Sequence, residues 1–176
     1  MADKEQDAIA LLKADHRAVE DLFEEFEGAR SSDRQKTLAT QICTELVIHT
    51  IIEEELFYPA LRGKIEDDTL DEAYVEHDGA KLLIGQIVAG EPQEDFYEAK
   101  VTVLSEEIKH HVHEEEMPSK GMFAQARATD VDLAELGRRM AERKAELKAD
   151  FEANGLPTPT ARTLSPVEIE LGEPVA

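Results

Sequence analysis

Two histidines in this sequence are each followed four residues later by a glutamate: His49 by Glu53 and His111 by Glu115. On an α-helix, positions i and i+4 lie one above the other on one face. Each pair can therefore offer an imidazole nitrogen and a carboxylate oxygen to one point. Both pairs interrupt apolar stripes. Leu38, Ile42, Leu46, His49, Glu53 and Leu56 follow at spacings of three and four, as do Tyr97, Val101, Leu104, Ile108, His111 and Glu115. A carboxylate turned toward a core costs several kcal/mol or more unless a cation neutralises it. Two further histidines fall in phase: His16 among Ile9, Leu12, Val19 and Phe23, and His77 among Leu70, Ala73, Ala80 and Ile84. Any one of them alone reads as a satisfied core histidine. Together they form a repeat, since His16 precedes His49 by 33 residues and His77 precedes His111 by 34. Four imidazoles and two carboxylates suit a pair of first-row transition-metal ions. The carboxylates bridge, two histidines serve each ion, and a position is left open for a small ligand. Iron, manganese and zinc all accept such donors.

The elements that must position these groups are helices. The first is predicted from about residue 5 to Gly28, a C-terminal stop. Ser31-Ser32-Asp33 caps a second helix that ends near Pro59 to Gly63. A third spans about Leu70 to Val88. After the Gly90-Glu91-Pro92 turn a fourth begins near Gln93, and Pro118 ends or kinks it. The expected fold is all-α: an up-down-up-down four-helix bundle (residues 1–128), each half a hairpin giving one lone histidine and one His-x-x-x-Glu pair. An accessory C-terminal helix is expected within 129–154, with Leu133, Leu136, Met140, Leu147 and Phe151 on one side and five basic residues against seven acidic ones. It should cap the bundle or meet a second subunit, as a homodimer or with another partner. Residues 155–176, with four prolines, are expected as an extended or disordered tail carrying no catalytic signal.

A formal net charge of −21 argues against nucleic acid and anionic membranes as partners. The single cysteine, Cys43, excludes a thiolate cluster and reads as a small buried hydrophobe. No apolar run approaches the roughly 20 residues that span a bilayer, and the acidic N-terminus has no apolar core, so the expected location is the cytoplasm. His110 and His113 fall out of phase and are expected at the surface. Glu54, Glu55, Glu114 and Glu116 read as solvated neighbours of Glu53 and Glu115. No inward acid or base beyond the six candidate ligands is apparent.

The chain resembles the hemerythrin-like HHE cation-binding family over about residues 8 to 125. The resemblance rests on Asp15-His16-Arg17, on His49-x-x-x-Glu53-Glu54 running into Leu56-Phe57-Tyr58-Pro59, on Glu76-His77, and on His111-Val112-His113-Glu114-Glu115-Glu116. It implies a non-haem di-iron centre, oxo- or hydroxo-bridged, with His16, His49, Glu53, His77, His111 and Glu115 as ligands. The sequence departs from the oxygen-carrying hemerythrins. Ala73 stands where they have a second third-helix histidine, and the fourth helix offers His111 and Glu115 where they have a histidine and an aspartate five apart. The site should therefore be more open, with Tyr74 either a core residue or a donor pointing at the vacancy. The expected function is binding or sensing of dioxygen or nitric oxide. The alternatives are a redox enzyme consuming peroxide or nitric oxide, and an iron-handling protein.

Overall fold

The computed structural model describes residues 7–165. The beginning of the first predicted helix and the last part of the tail, residues 166–176, lie outside them. Among the described residues the secondary structure is helical throughout: α1 (Ala8–Gly28), α2 (Ser32–Ile52), a π-helical turn (Glu53–Phe57), α3 (Tyr58–Leu61), α4 (Asp67–Ala89), α5 (Tyr97–Glu116), α6 (Met122–Arg127) and α7 (Leu133–Asn154). None of these helices is long and apolar enough to cross a membrane.

Local chemistry explains the boundaries. The Asp7 carboxylate accepts from the Ala10 amide at 2.8 Å and starts α1; Ser31 and Asp132 do the same for α2 and α7. Each such cap is worth about 1 kcal/mol. The fourth long helix starts at Tyr97, later than the expected Gln93. Residues 91–96 close tight turns, Tyr97 N donating to Glu94 O, and Phe96 takes a left-handed conformation (φ 67°) that no helix continues through.

The stripes read from the sequence become a helical bundle. α1 lies against α2 and α5, α2 against α4, and α4 against α5. Their shared core includes Ile9, Leu12, Leu38, Ile42, Leu70, Ile84, Ile87 and Leu104, none more than 1 % exposed. α7 covers α1, α2 and the π turn with Leu136, Met140, Leu147 and Phe151. Its apolar face is thus occupied within the chain, and its charges reach back: Lys144 to Asp15, Lys148 to Glu45 and Arg143 to Glu55. Cys43 is buried, and burial pushes its thiol up to about 12.

Two local features set the geometry around the two His-x-x-x-Glu pairs. Pro59 has no amide hydrogen to give the Glu55 carbonyl, and its ring crowds that carbonyl. The backbone widens into i→i+5 bonding, with Tyr58 N donating to Glu53 O. The widened turn shifts the helix phase, so Phe57, Tyr58 and Leu61 are buried and Leu56 is only partly so. At the end of α5 the chain doubles back so tightly that a Cβ on Gly121 would lie 2.6 Å from both Glu115 O and Met117 N. Only glycine fits there, and the turn that it permits runs directly behind Glu115.

Candidate metal centre

The bundle brings all six candidate residues to one place. His16, His49, Glu53, His77, His111 and Glu115 are each 6 % exposed or less, and Glu53 is fully buried. His16 Nε2 lies 3.3 Å from His49 Nε2 and 3.4 Å from Glu115 Oε2. His49 Nε2 lies 3.2 Å from Glu53 Oε2. On the other side, His77 Nε2 lies 3.2 Å from His111 Nε2 and 3.3 Å from Glu53 Oε2, and His111 Nε2 lies 3.6 Å from Glu115 Oε1. Two donor groups result, one of His16, His49, Glu53 and Glu115, the other of Glu53, His77 and His111, each compact enough to hold an ion. Glu53 belongs to both groups, and Glu115 turns one oxygen toward each histidine pair.

The second ring nitrogens face carboxylates. Nδ1 of His16 is 2.8 Å from Glu116, that of His77 3.2 Å from Glu54, and that of His111 2.7 Å from Glu76. His49 Nδ1 faces Asp15 at 3.6 Å, too long for a hydrogen bond. An ionised carboxylate only accepts, so the three bonded rings carry their hydrogen on Nδ1 and, when neutral, expose a bare lone pair on Nε2. Such lone pairs then face one another and the oxygens of Glu53 and Glu115. Buried Glu53 Oε1 and Glu115 Oε2 have no hydrogen bond at all. This cage of electron pairs demands positive charge.

Without a metal, protons supply that charge. Burial disfavours a charged His49, but Glu53 and Asp15 outweigh it and raise its pKa to about 10. Burial likewise opposes charge on His77, and Glu53 and Glu54 raise it to about 9. Glu53, despite complete burial, is held well below the usual carboxylate range by His49 and His77. A metal ion is the alternative tenant: Zn–N and Zn–O bonds are about 2.0–2.2 Å, so donors 3.2–3.4 Å apart sit at the separation expected around one shared ion. The donor set therefore fits a cation.

Several expectations need correction. Glu54 is not a solvated neighbour of Glu53; it is buried and bonded to His77 and Lys81. Glu116 is not a free surface acid either, since it takes His16 on one oxygen and meets Lys13 and Arg17. The reading that no further inward acid exists fails at Tyr58. Its hydroxyl, fully buried, lies 3.2 Å from His77 Nε2, 3.3 Å from Glu53 and 3.4 Å from Glu115. Burial and those two carboxylates keep the phenol protonated far above its ordinary range. The available signal was Pro59, whose effect on the preceding turn rotates residue 58 inward. Tyr74 stays outside, packed edge-on against the Tyr58 ring at 5.2 Å. His110 is exposed, as expected from its phase, and pairs with Glu114 and Glu76.

Beside the four rings is a cavity of about 20 Å³, lined also by Val19, Leu46, Ile108 and Val112. That is room for one water-sized molecule, in an apolar setting.

The sequence model of the Hemerythrin HHE cation binding domain matches residues 7–123. A DNA nickase of Nostoc sp. is 29% identical over 106 residues, 60% of this chain but only 30% of that protein. An uncharacterized protein of Mycobacterium tuberculosis is 27% identical over 157 residues, covering 89% of this chain and 92% of its own length. Among solved structures, that of a hemerythrin HHE cation binding domain-containing protein from Mycobacterium kansasii superposes with a TM-score of 0.70 at 24% identity. It covers 85% of this chain and 94% of the other.

Proposed function

Since this chain belongs to the hemerythrin HHE cation-binding domain family, we propose that it binds or senses a diatomic molecule, dioxygen or nitric oxide, at a non-haem centre of two iron ions. In this reading residues 1–128 form an up-down-up-down four-helix bundle, with 129–154 an accessory helix and 155–176 a tail. His16 and His49 would hold one ion and His77 and His111 the other, with Glu53 and Glu115 shared between them. The observation that carries the reading is the pair of carboxylates within reach of both histidine pairs, next to a cavity of about 20 Å³. A cavity of that size suits a diatomic molecule. The ions, when bound, supply open coordination and electrons. The protein's own groups do the rest: Val19, Leu46, Ile108 and Val112 give the cavity an apolar lining, and the Nδ1 carboxylates fix the rings of His16, His77 and His111.

A specific observation favours a second reading, redox consumption of peroxide or nitric oxide. Tyr58 holds a proton at the centre, on the His77 side, where reduction of a bound ligand would require one. Gas and peroxide titrations of the reduced, iron-loaded protein distinguish the two. A binder changes its visible spectrum and saturates near one ligand per centre; an enzyme keeps consuming. Spectral silence toward dioxygen, nitric oxide and peroxide defeats both. Metal analysis of protein from its native host tests the choice of iron over manganese or zinc.

A further inference from the structure

Behind His77 a line of charged groups runs out to the C-terminal segment. The Glu54 oxygen that faces His77 Nδ1 also accepts from Lys81 Nζ at 2.6 Å, and Lys81 donates in turn to Asp78 Oδ1 at 3.0 Å. The other Asp78 oxygen is enclosed by the segment after α7. It accepts from the Arg162 amide at 2.7 Å, the Leu164 amide at 3.2 Å, the Thr163 hydroxyl at 2.7 Å, and the Thr163 amide between them. Arg162 Nε also stands 3.5 Å from Glu54 Oε2. Successive backbone N–H groups closed around one oxygen make an anion nest. Asp78 is only 1% exposed, yet the residues that enclose it are themselves exposed. The segment has no regular secondary structure, and what it does is hold one carboxylate still.

The other three histidines are backed differently. Glu116 behind His16 meets Lys13 and Arg17, Asp15 behind His49 meets Lys144, and Glu76 behind His111 meets His110. Among the described residues, only the His77 carboxylate is tied to a part of the chain outside the helices. The same segment covers a cavity of about 270 Å³ whose walls include Ile51, Ile84, Pro157 and Pro159 and whose floor includes Glu54.

We propose that Asp78 and Lys81, clamped by the Arg162–Leu164 nest, are positioning residues for His77, so that the C-terminal segment sets how long metal is retained at the His77 end of the centre. The proposal rests on the metal reading above. With Asp78 pinned, Lys81 has one place to sit between two acids, Glu54 is held against the ring, and the Nδ1 bond keeps Nε2 directed at the centre. Loss of a group bonded directly to a ligand's ring, as Glu54 is to His77, typically costs about 10–100-fold in metal affinity, and Asp78 acts through Lys81 on that group at the lower end of the range.

The test uses the full chain loaded anaerobically with ferrous iron, its release to excess ferrous chelator followed by absorbance. Asp78→Asn should speed release of one of the two iron equivalents about tenfold and leave the other unchanged. A chain ending after Gly155 should do the same, and the combination should be no faster than either alone. Thr163→Ala, which removes one exposed hydroxyl and leaves the helices intact, should move the same phase by about two- to tenfold, the worth of one hydrogen bond. Unchanged release in these variants, or equal acceleration of both equivalents, overturns the proposal. Wild-type protein that takes up no iron removes the metal centre and this inference together. Wild-type protein that loads normally, with variants that behave like it, removes this inference alone.

Discussion

The two halves of the centre look alike in sequence and differ in structure. Each offers a lone histidine and a His-x-x-x-Glu pair. The His16–His49 half is backed by α7 and the exposed cations of α1, and Asp15 stands 3.6 Å from His49, leaving both facing atoms without a hydrogen bond. The His77–His111 half has every Nδ1 bonded and adds the Tyr58 hydroxyl. The π turn is the cause. It follows Glu53 and rotates Tyr58 inward, whereas the position five residues after Glu115 is Lys120, already past the end of α5. Equivalent ligand spacing therefore does not make equivalent surroundings: a proton donor stands against the His77–His111 pair, and no matching hydroxyl stands against His16 or His49 among the described residues.

The largest effect should come from the residue shared by both halves. Glu53→Gln should lower metal uptake at both positions by more than the roughly 10–100-fold expected for an outer partner, read as metal per protein after dialysis. Loss at one position alone would show the halves to be independent. Gly121→Ala comes next, because its Cβ meets backbone that cannot retreat. Overpacking of this kind costs about 1–3 kcal/mol, seen as a lower Tm together with weaker metal binding, since Glu115 carries the strain to both halves.

The pH dependence sharpens the contrast. Both raised histidines must lose protons to bind metal. Below about pH 9 His49 and His77 are both protonated, so affinity should climb by up to roughly a hundredfold per pH unit, measured by chelator competition. In the metal-free protein the sign reverses. Folded-state pKa values raised above the ordinary histidine 6.5 stabilise fully below that value and lose the contribution as pH rises through about 9 for His77 and about 10 for His49. The Tm of metal-free protein should fall over that window while that of loaded protein does not, and the His77 ring should titrate first by NMR.

Tyr58→Phe should leave metal content unchanged. It costs about 1 kcal/mol in lost hydrogen bonding and slows any proton-consuming turnover, with the larger change in ring NMR signals at His77, which the hydroxyl meets directly. The smallest effect belongs to Lys144→Met, which frees Asp15 behind His49. A partly exposed pair is worth about 1 kcal/mol or less, so chelator release should quicken by a few-fold from the His49 position only.

The sequence makes the stripe residues legible because helix period alone decides which way they face. His16, His49, Glu53, His77, His111 and Glu115 each share a phase with buried leucines and isoleucines, and the helices bring them together. Glu54 and Glu116 are a different case. Each lies one residue beyond a candidate ligand and reads as surface until a histidine from another helix arrives, which is a property of packing and not of period. Tyr58 is hidden by the turn before Pro59, since a regular helix would point residue 58 elsewhere. The role of Asp78 is invisible from sequence, because its partners lie 84 to 86 positions away in a segment without periodicity.

The wide turn at Glu53–Phe57 has a further consequence for how this protein can change. One extra residue is stored there, so a single-codon deletion between Glu54 and Phe57 would restore ordinary helical winding without breaking the bundle. Tyr58 and everything after it would keep their direction relative to His49, because the widened turn already absorbs the roughly 100° that one residue adds, and the phenol would stay at the centre. Ordinary winding of the same residues without a deletion would instead turn the phenol away by about 100°, so the number of residues in this turn is what keeps a proton donor at the centre.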